Sequence, residues 1–306
     1  MEFGKVNQLN GILWQLPPTP SATTVFLSQQ QQQQTTVHVG CPVWAQPAWR
    51  GTLYPAQAKS ADFLYYYARQ FSCIELNTTH YRIPELSLVR RWVNQTPDHF
   101  LFCPKIPQEI SHRHQLRHAE ALTVQFVDHI LGLGQRLGLC FLQLPPQFGP
   151  DQATDLWAYL QHFPEAAPLA VEFRDKRWFD GSAQKIVDQT LDRMRERGIA
   201  TVITDVAGRR DVLHHHLTAS TVAVRFVGNG LHPTDFTRVD AWAQRLSEWL
   251  SAGLSTVYFW VHEPDNVQAP TMARYAIQQF NQVIGLEIPE PLLVPLHPGG
   301  EQGSLF

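Results

Sequence analysis

The 306-residue sequence has few cysteines and no excess of positive charge. Its four cysteines, Cys41, Cys73, Cys103 and Cys140, include no Cys-x-x-Cys pair, which argues against a zinc or redox motif. We interpret them as reduced thiols of a cytoplasmic protein, since disulfides are rare in that compartment. Lysine and arginine number 24 against 27 acidic residues, so the net charge of −3 disfavours nucleic acid as a partner.

Export and membrane signals are also missing from the sequence. The N-terminus, Met1 to Lys5, lacks a basic segment followed by an apolar run of about 7–15 residues. No stretch approaches the ~20 apolar residues of a membrane span. We therefore expect neither export nor membrane insertion. The hydrophobic content of 44% is enough to bury a large core, which excludes wholesale disorder.

The two ends of the chain differ in composition from its middle. Residues 1–36 contain Pro17-Pro18-Thr19-Pro20 and six glutamines, Gln29–Gln34, without apolar periodicity. This low-complexity composition predicts a disordered N-terminal extension over residues 1–36. Prolines at short intervals predict a tail over residues 287–306 that is disordered or draped on the surface. A single domain is expected to occupy residues 37–286.

Eight short apolar runs alternate with helical patterns through that domain. Near-continuous hydrophobic runs suit strands that are covered on both faces of a parallel sheet. Eight strand–helix units in about 250 residues predict a single (β/α)8 TIM barrel of the α/β class. An open doubly wound sheet is the alternative, disfavoured because no G-x-G-x-x-G follows the first run. The predicted strands are 37–41, 72–76, 100–105, 139–144, 169–174, 200–205, 222–226 and 256–261, and the helical patterns are 62–71, 119–137, 153–163, 183–197, 240–252 and 271–284.

Polar residues mark the ends of most predicted strands. In a TIM barrel these ends form the mouth, where active sites are built. Glu172 and Arg174 lie two residues apart, so both are expected to face the barrel interior, opposite to Val171 and Phe173. The strand-end residues are Glu75, Lys105, Gln143, Glu172, Arg174, Asp205, Arg225 and His262.

These strand-end charges have two interpretations. Three carboxylates and three cations sum to zero, so a structural ion-pair network is one of them. Buried ions cost several kcal/mol each, so we favour a ligand pocket instead. Glu75 or Glu172 would then be the general acid or base, and Lys105 would stabilise an oxyanion. Arg174 and Arg225 would clamp the phosphate or carboxylate of a small anionic or sugar-like substrate.

Two further features bear on the ligand. The turn Gly228-Asn229-Gly230 follows the seventh predicted strand, where TIM barrels often hold phosphate. Aromatic residues that would stack on a sugar or base also gather near the predicted mouth. They are Trp44, Trp49, Tyr81, Trp178 and Trp260, although Trp49 and Trp178 suit loop cores equally well.

Histidine clusters give a weaker indication of a metal site. Neither His112–His114 nor His214–His216 has a metal-binding spacing, and we expect the second cluster on the surface or on a helix. His112 and His262 follow strand ends, so with Glu75, Glu172 and Asp205 they would suit a divalent metal. A metal-dependent isomerase, lyase or phosphodiesterase is therefore the second enzyme hypothesis, although no cofactor is evident from the sequence.

Several ordered motifs between about residue 37 and residue 284 resemble the YecE-like family of unknown function, number 72 in the domain-of-unknown-function series. The resemblance implies a TIM barrel and brings no established activity. The motifs are Gly40-Cys41-Pro42-Val43-Trp44, Glu75-Leu76-Asn77-Thr78-Thr79-His80-Tyr81-Arg82, Lys105-Ile106-Pro107-Gln108-Glu109-Ile110-Ser111-His112, Gln143-Leu144-Pro145-Pro146-Gln147-Phe148 and Val171-Glu172-Phe173-Arg174.

The resemblance and the strand ends together define the predicted site. The chain departs from the family at Val227, where the family often has histidine, and at His262-Glu263-Pro264-Asp265, where it has an Asn-Asn-Asp-like sequence. A ligand-binding or nucleic-acid-associated module without turnover is the third hypothesis. No metal ligand is assigned. The predicted catalytic residues are Glu75, Lys105 and Glu172, and the predicted substrate-binding residues are Asn77, Tyr81, His112, Gln143, Arg174, Arg225 and His262.

Overall fold

The central sheet contains eight parallel strands. The computed structural model describes residues 4, 6, 8–31 and 33–294. The strands are β1 Thr36–Cys41, β2 Cys73–Leu76, β3 Leu101–Pro104, β4 Cys140–Gln143, β5 Leu169–Glu172, β6 Ala200–Asp205, β7 Thr221–Val227 and β8 Thr256–His262. Their order is β3-β2-β1-β8-β7-β6-β5-β4, which is that of a barrel cut between β3 and β4. The Ile106 amide bridges this cut by donating to the Phe141 carbonyl at 2.9 Å. The predicted (β/α)8 barrel is confirmed.

The helices lie mainly where the apolar periodicity predicted them. They are α1 Ser21–Ser28, α2 Phe63–Tyr67, α3 Leu86–Gln95, α4 Glu120–Leu131, α5 Ala153–His162, α6 Gln184–Glu196, α7 Pro233–Ser251 and α8 Ala269–Ile284. Helix α7 begins seven residues before the predicted pattern, because His232 and Asp235 form a capping box around Pro233. Helix α3 was not predicted. No helix in the described part of the chain is long and apolar enough to cross a membrane.

Alternation along the strands explains why a polar layer lies at the barrel mouth. Cys73, Phe141 and Ala223 belong to the apolar core inside the barrel. Two residues further along each strand, Glu75, Gln143 and Arg225 must face the same interior. The interior therefore changes from apolar to charged toward the carboxyl ends of the strands, and the candidate site lies on a packed apolar floor.

The N-terminal segment corrects the prediction of a disordered extension over residues 1–36. Residues 21–28 form helix α1, in which Thr23 and Leu27 are buried. Thr23 donates to the His215 carbonyl and accepts from the Leu217 amide, both at 3.0 Å. This segment is ordered despite its low-complexity composition, because residues nearly 200 positions away in the chain hold it in place. Residues 1–3, 5, 7 and 32 lie outside the described residues.

Helix α1 lies beside the irregular connection between β6 and β7. Residues 206–220 form a short 3-10 helix, Ala207–Val212, and an extended segment, with no α-helix. The N-terminal segment covers this connection and contacts α7, where Trp249 donates to Thr19 at 2.9 Å. His214 and His215 are consequently buried in this loop, so the expectation that they lie on the surface or on a helix is wrong.

The C-terminal tail lies on the barrel surface where it is described. Asn281 donates to the Ile288 carbonyl at 2.9 Å and accepts from the Ile288 amide at 2.8 Å. The Val294 amide donates to the Thr52 carbonyl at 3.1 Å. Residues 287–294 thus follow the surface-draped alternative, and residues 295–306 of the predicted tail lie outside the described residues.

Candidate functional site

A cavity of about 630 Å3 opens at the carboxyl ends of the strands. Its lining includes eight of the ten predicted site residues: Glu75, Asn77, Tyr81, Lys105, Gln143, Arg174, Arg225 and His262. The other two are close neighbours of this lining. Glu172 is fully buried and contacts Arg174 and Arg225, and the His112 ring lies edge-on to the His80 ring with 5.1 Å between centroids.

Arg225 is the centre of the charged network. Its Nε and Nη2 atoms donate to the two carboxylate oxygens of Glu75 at 3.0 and 2.8 Å. Its Nη1 atom donates to both oxygens of Glu172 at 3.1 and 3.0 Å. Arg225 is only 1% exposed, so this guanidinium ties β7 to β2 and β5 inside the barrel. Such bidentate, charge-assisted contacts fix both carboxylates in position.

Each of the two carboxylates accepts hydrogen bonds from further donors. Glu75 accepts from Asn77 Nδ2 at 2.8 Å and from His262 Nε2 at 2.6 Å. Glu172 accepts from Arg174 Nε at 2.8 Å and from Thr204 Oγ1 at 2.7 Å. Each carboxylate therefore receives at least four hydrogen bonds from this chain alone.

These contacts hold both carboxyl groups ionised. Burial raises the pKa of Glu75, but Arg225 and then His262 outweigh it and hold that pKa well below its ordinary value. Burial likewise opposes ionisation of Glu172, yet Arg174, Arg225 and Lys105 lower its pKa to about 2. A carboxylate with so low a pKa is a weak base at neutral pH. The geometry therefore suits Glu75 and Glu172 to fixing cations rather than to moving protons.

Lys105 contrasts with the arginines of the network. Its Nζ atom donates to Gln143 Oε1 at 2.9 Å, and the side chain is only 7% exposed although it lines the cavity. Burial, followed by the positive charge of Arg225, lowers the pKa of Lys105 to about 7. A pKa near neutrality suits this amine to proton transfer or nucleophilic attack.

Two titratable residues of the cavity lining, His80 and Glu263, were missing from the predicted set. The His80 Nδ1–H donates to the Ile106 carbonyl at 2.9 Å, which leaves Nε2 as the ring's acceptor. Burial, with Lys105 nearby, lowers the pKa of His80 to about 4, so the ring is neutral. Glu263 is 3% exposed, and burial raises its pKa to about 7. Glu263 directly follows β8, so its position at a strand end was the available signal, whereas His80 lies four residues beyond the end of β2.

The turn after β7 is already occupied by side chains of this chain. The Asn229 amide donates to Asp235 Oδ2 at 2.8 Å, and the Gly230 amide donates to Glu263 Oε2 at 2.7 Å. A Cβ atom at Gly228 would lie 2.1 Å from Glu263 Oε1, so the absence of a side chain at Gly228 lets the Glu263 carboxyl group approach the turn closely. The turn therefore packs around carboxylates of the chain, and its expected role as a phosphate loop receives no support from this geometry.

Asp205 ends its strand on the opposite face. Thr204 faces the barrel interior, whereas Asp205 accepts from Trp242 Nε1 and Arg238 Nη2 at 2.8 Å and also contacts Arg210. Asp205 thus joins β6 to α7, and its expected place among the mouth charges is wrong. Among residues 4, 6, 8–31 and 33–294, no group of three or more His, Cys, Asp or Glu side chains is arranged to hold a metal ion.

The aromatic residues divide between cavity and core. Trp44 is half-buried and Tyr81 is 72% exposed, and both line the cavity. Trp49, Trp178 and Trp260 are buried, the first two beneath loops and the third inside the barrel. Two of the five expected rings are therefore placed to stack on a ligand.

Comparison with known proteins places the chain in a family. The family model described as "Protein of unknown function DUF72" matches residues 38–292. The chain is 33% identical to the UPF0759 protein YecE of Escherichia coli (strain K12) over 289 residues, which cover 88% of this chain and all of YecE. It is 27% identical to the UPF0759 protein YunF of Bacillus subtilis (strain 168) over 173 residues, which cover 53% of this chain and 58% of YunF.

Solved structures share the fold of this chain. A crystal structure of a DUF72 family protein from Enterococcus faecalis V583 superimposes with a TM-score of 0.63 at 21% identity, covering 86% of this chain and all of the other. A DUF72 family protein from Thermotoga maritima MSB8 gives a TM-score of 0.60 at 25% identity, covering 82% of this chain and all of the other. The family model and the full-length similarity to YecE together show that this chain belongs to the DUF72 family.

Proposed function

We propose that this protein is an enzyme that acts by acid–base chemistry on a small anionic or sugar-like molecule bound in the mouth cavity. The observation that carries the proposal is Lys105, a buried amine on the wall of a cavity of about 630 Å3, with a neutral amide as its hydrogen-bond partner. A group whose pKa lies near the working pH is the most effective proton donor and acceptor. Lys105 meets that condition at about 7.

The charged network supports an anionic ligand. Three cations, Lys105, Arg174 and Arg225, face two carboxylates, Glu75 and Glu172, so these five groups carry one net positive charge when Lys105 is protonated. Glu263 cancels that charge only when it is ionised, and burial raises its pKa to about 7. Buried cations act strongly on a ligand, because little water screens them. Arg174 and Lys105 both line the cavity, so an anionic group would meet them directly.

Neutral polar groups and aromatic rings support a hydroxylated ligand. The His80 ring presents Nε2 as an acceptor, and Asn77 and Gln143 also line the cavity. Trp44 and Tyr81 offer rings of the kind that pack against sugars. The four unpaired, buried cysteines fit a reducing compartment, so a cytoplasmic location stays part of the proposal.

Binding without turnover is the competing function. It is favoured by the saturated shells of Glu75 and Glu172, which leave neither carboxylate ready to take a proton. The two functions differ in the fate of the ligand, since a binding module releases it unchanged.

Ligand-observed NMR with inorganic phosphate, citrate, glucose and glucose 6-phosphate tests the proposal. We expect at least one of the anionic probes to bind, and Lys105→Met to weaken that binding by about tenfold or more. Lys185→Met, which removes an exposed lysine on α6, is the matched control and should bind as wild type does. Saturable binding with an intact ligand after prolonged incubation would favour the binding module, and no binding by any probe would contradict both functions.

A further inference from the structure

Lys105 is a buried cation that the ion-pair network does not use. Arg225 contacts both Glu75 and Glu172, Arg174 contacts Glu172, and Nζ of Lys105 donates to the amide oxygen of Gln143 instead. The face of Phe141 lies beneath the amine, with 6.0 Å from Nζ to the ring centroid. Burial of an ammonium group without a carboxylate contact costs several kcal/mol, so a purely structural role explains this lysine poorly.

The backbone fixes where this amine lies. The Lys105 amide donates to the Leu76 carbonyl at 3.3 Å, and the Lys105 carbonyl accepts from Thr79 Oγ1 at 2.8 Å. Lys105 therefore extends β3 and is aimed into the cavity by a sheet position rather than by a loop. A rigid attachment of this kind is what a covalent reaction needs, because the nucleophile must meet its target in a defined geometry.

We propose that Lys105 forms a covalent imine with a substrate, and that the substrates of this site are small anionic aldehydes or ketones. This inference rests on the proposed function, because it places the reaction in the same cavity and on the same amine. A desolvated lysine beside other cations is the arrangement in which an amine is uncharged and nucleophilic near neutral pH. Arg174 would attract the anionic group of the substrate, as it lines the same cavity.

The chemistry balances without any other reactant. The Nζ lone pair attacks the carbonyl carbon, a C–N bond forms, and a proton moves from nitrogen to the carbonyl oxygen to give a carbinolamine. Loss of water breaks the C–O bond and the remaining N–H bond and gives a neutral imine, which takes up one proton from the solvent to become the protonated imine. No electron acceptor is required, and hydrolysis regenerates the amine. Charged and titratable groups that bear on Lys105 come from several elements and are Glu75, His80, His112, Glu172, Arg174 and Arg225.

Reductive trapping on the full-length protein tests the imine directly. The protein is incubated at pH 7 with sodium cyanoborohydride and glyoxylate, pyruvate or neutral acetone, and the modified peptide is located by mass spectrometry. We expect glyoxylate or pyruvate to modify Lys105 on the order of 100-fold faster than the exposed Lys59 and Lys185, because an ordinary lysine is almost fully protonated at pH 7. Acetone should react more slowly, since it has no anionic group for Arg174.

Two variants separate covalent chemistry from charge. Lys105→Arg keeps a positive charge but cannot form an imine, and Lys105→Met removes the charge as well. Both should lose the adduct, whereas the control Lys185→Met should retain it. The decisive comparison is between Lys105 and the other lysines within the wild-type protein, so the test does not depend on the folding of either variant.

The outcomes distinguish this inference from the proposed function. If modification is spread evenly over Lys59, Lys105, Lys176 and Lys185, the proposal that Lys105 forms an imine is wrong. If phosphate or citrate binds in the NMR assay but no selective adduct forms, the imine proposal is wrong and the proposed function is still supported. If neither binding nor an adduct is found, both fail.

Discussion

Replacement of Glu172 by glutamine removes one buried charge at nearly constant side-chain shape. In the wild type this carboxylate receives four hydrogen bonds at 2.7–3.1 Å, of which three come from Arg174 and Arg225. A pKa lowered from 4.5 to about 2 corresponds to about 3 kcal/mol in favour of the ionised group. Glu172→Gln leaves two guanidinium groups with one carboxylate fewer, so we expect a loss of about 3 kcal/mol in the free energy of unfolding.

Thermal unfolding at several pH values measures this loss. For a domain of this length about 3 kcal/mol lowers the midpoint by about 5 °C. Because the folded-state pKa of Glu172 lies below its unfolded-state value, the stabilisation is complete above about pH 4.5 and fades as the pH falls toward about 2. The difference between wild type and variant should therefore shrink in acid, below about pH 4.5.

Glu109→Gln is the matched control for this substitution. Glu109 pairs with Arg113 at 2.9 Å on the surface, where ion pairs contribute little, so its midpoint should stay within about 1 °C of wild type. A Glu172→Gln variant as stable as the wild type would contradict the predicted loss of stability. It would mean that this carboxylate is held at a cost to stability, as at a functional site.

Three further substitutions test other parts of the account. Lys105→Met should raise the thermal midpoint at pH 6, and this gain should disappear toward pH 10.5, because only the unfolded wild type keeps its proton between about pH 7 and 10.5. Leu27→Ala should cost about 3 kcal/mol in denaturant unfolding, whereas Val25→Ala, at an exposed position of α1, should cost far less. Asp205→Asn should cost about 3 kcal/mol in the same assay while leaving adduct formation at Lys105 unchanged.

Local sequence patterns were sufficient to predict the barrel. Strands buried on both faces produce near-continuous apolar runs, and the observed bounds differ from the predicted ones by at most two residues at either end. The connection after β6 was the least regular part of the predicted pattern, and the structure has a 3-10 helix there. The order of α1 carried no local signal, because Thr23 and Leu27 are held by residues distant in the chain.

The sequence predicted where the candidate site lies, but not which of its titratable groups are charged. Strand-end residues converge by topology, which is why Glu75, Lys105 and Arg225 line one cavity. Alternation along β6 would have placed Asp205 on the outer face, since Thr204 beside it faces inward. Arg225, and not Lys105, contacts both carboxylates, and these contacts cross the barrel between residues that are 150 positions apart for Glu75 and Arg225. Sequence spacing alone therefore could not show which cation is left to transfer protons.

The ionisation of Lys105 decides whether this amine can transfer a proton or attack a carbonyl group at neutral pH. Reductive methylation with 13C-formaldehyde gives each lysine an NMR signal whose chemical shift follows its protonation, and Lys105→Met assigns the signal of interest. We expect Lys105 to titrate near pH 7. Titration of Lys105 near 10 would contradict the account, because a fully protonated amine would be neither a proton-transfer group nor a nucleophile at neutral pH.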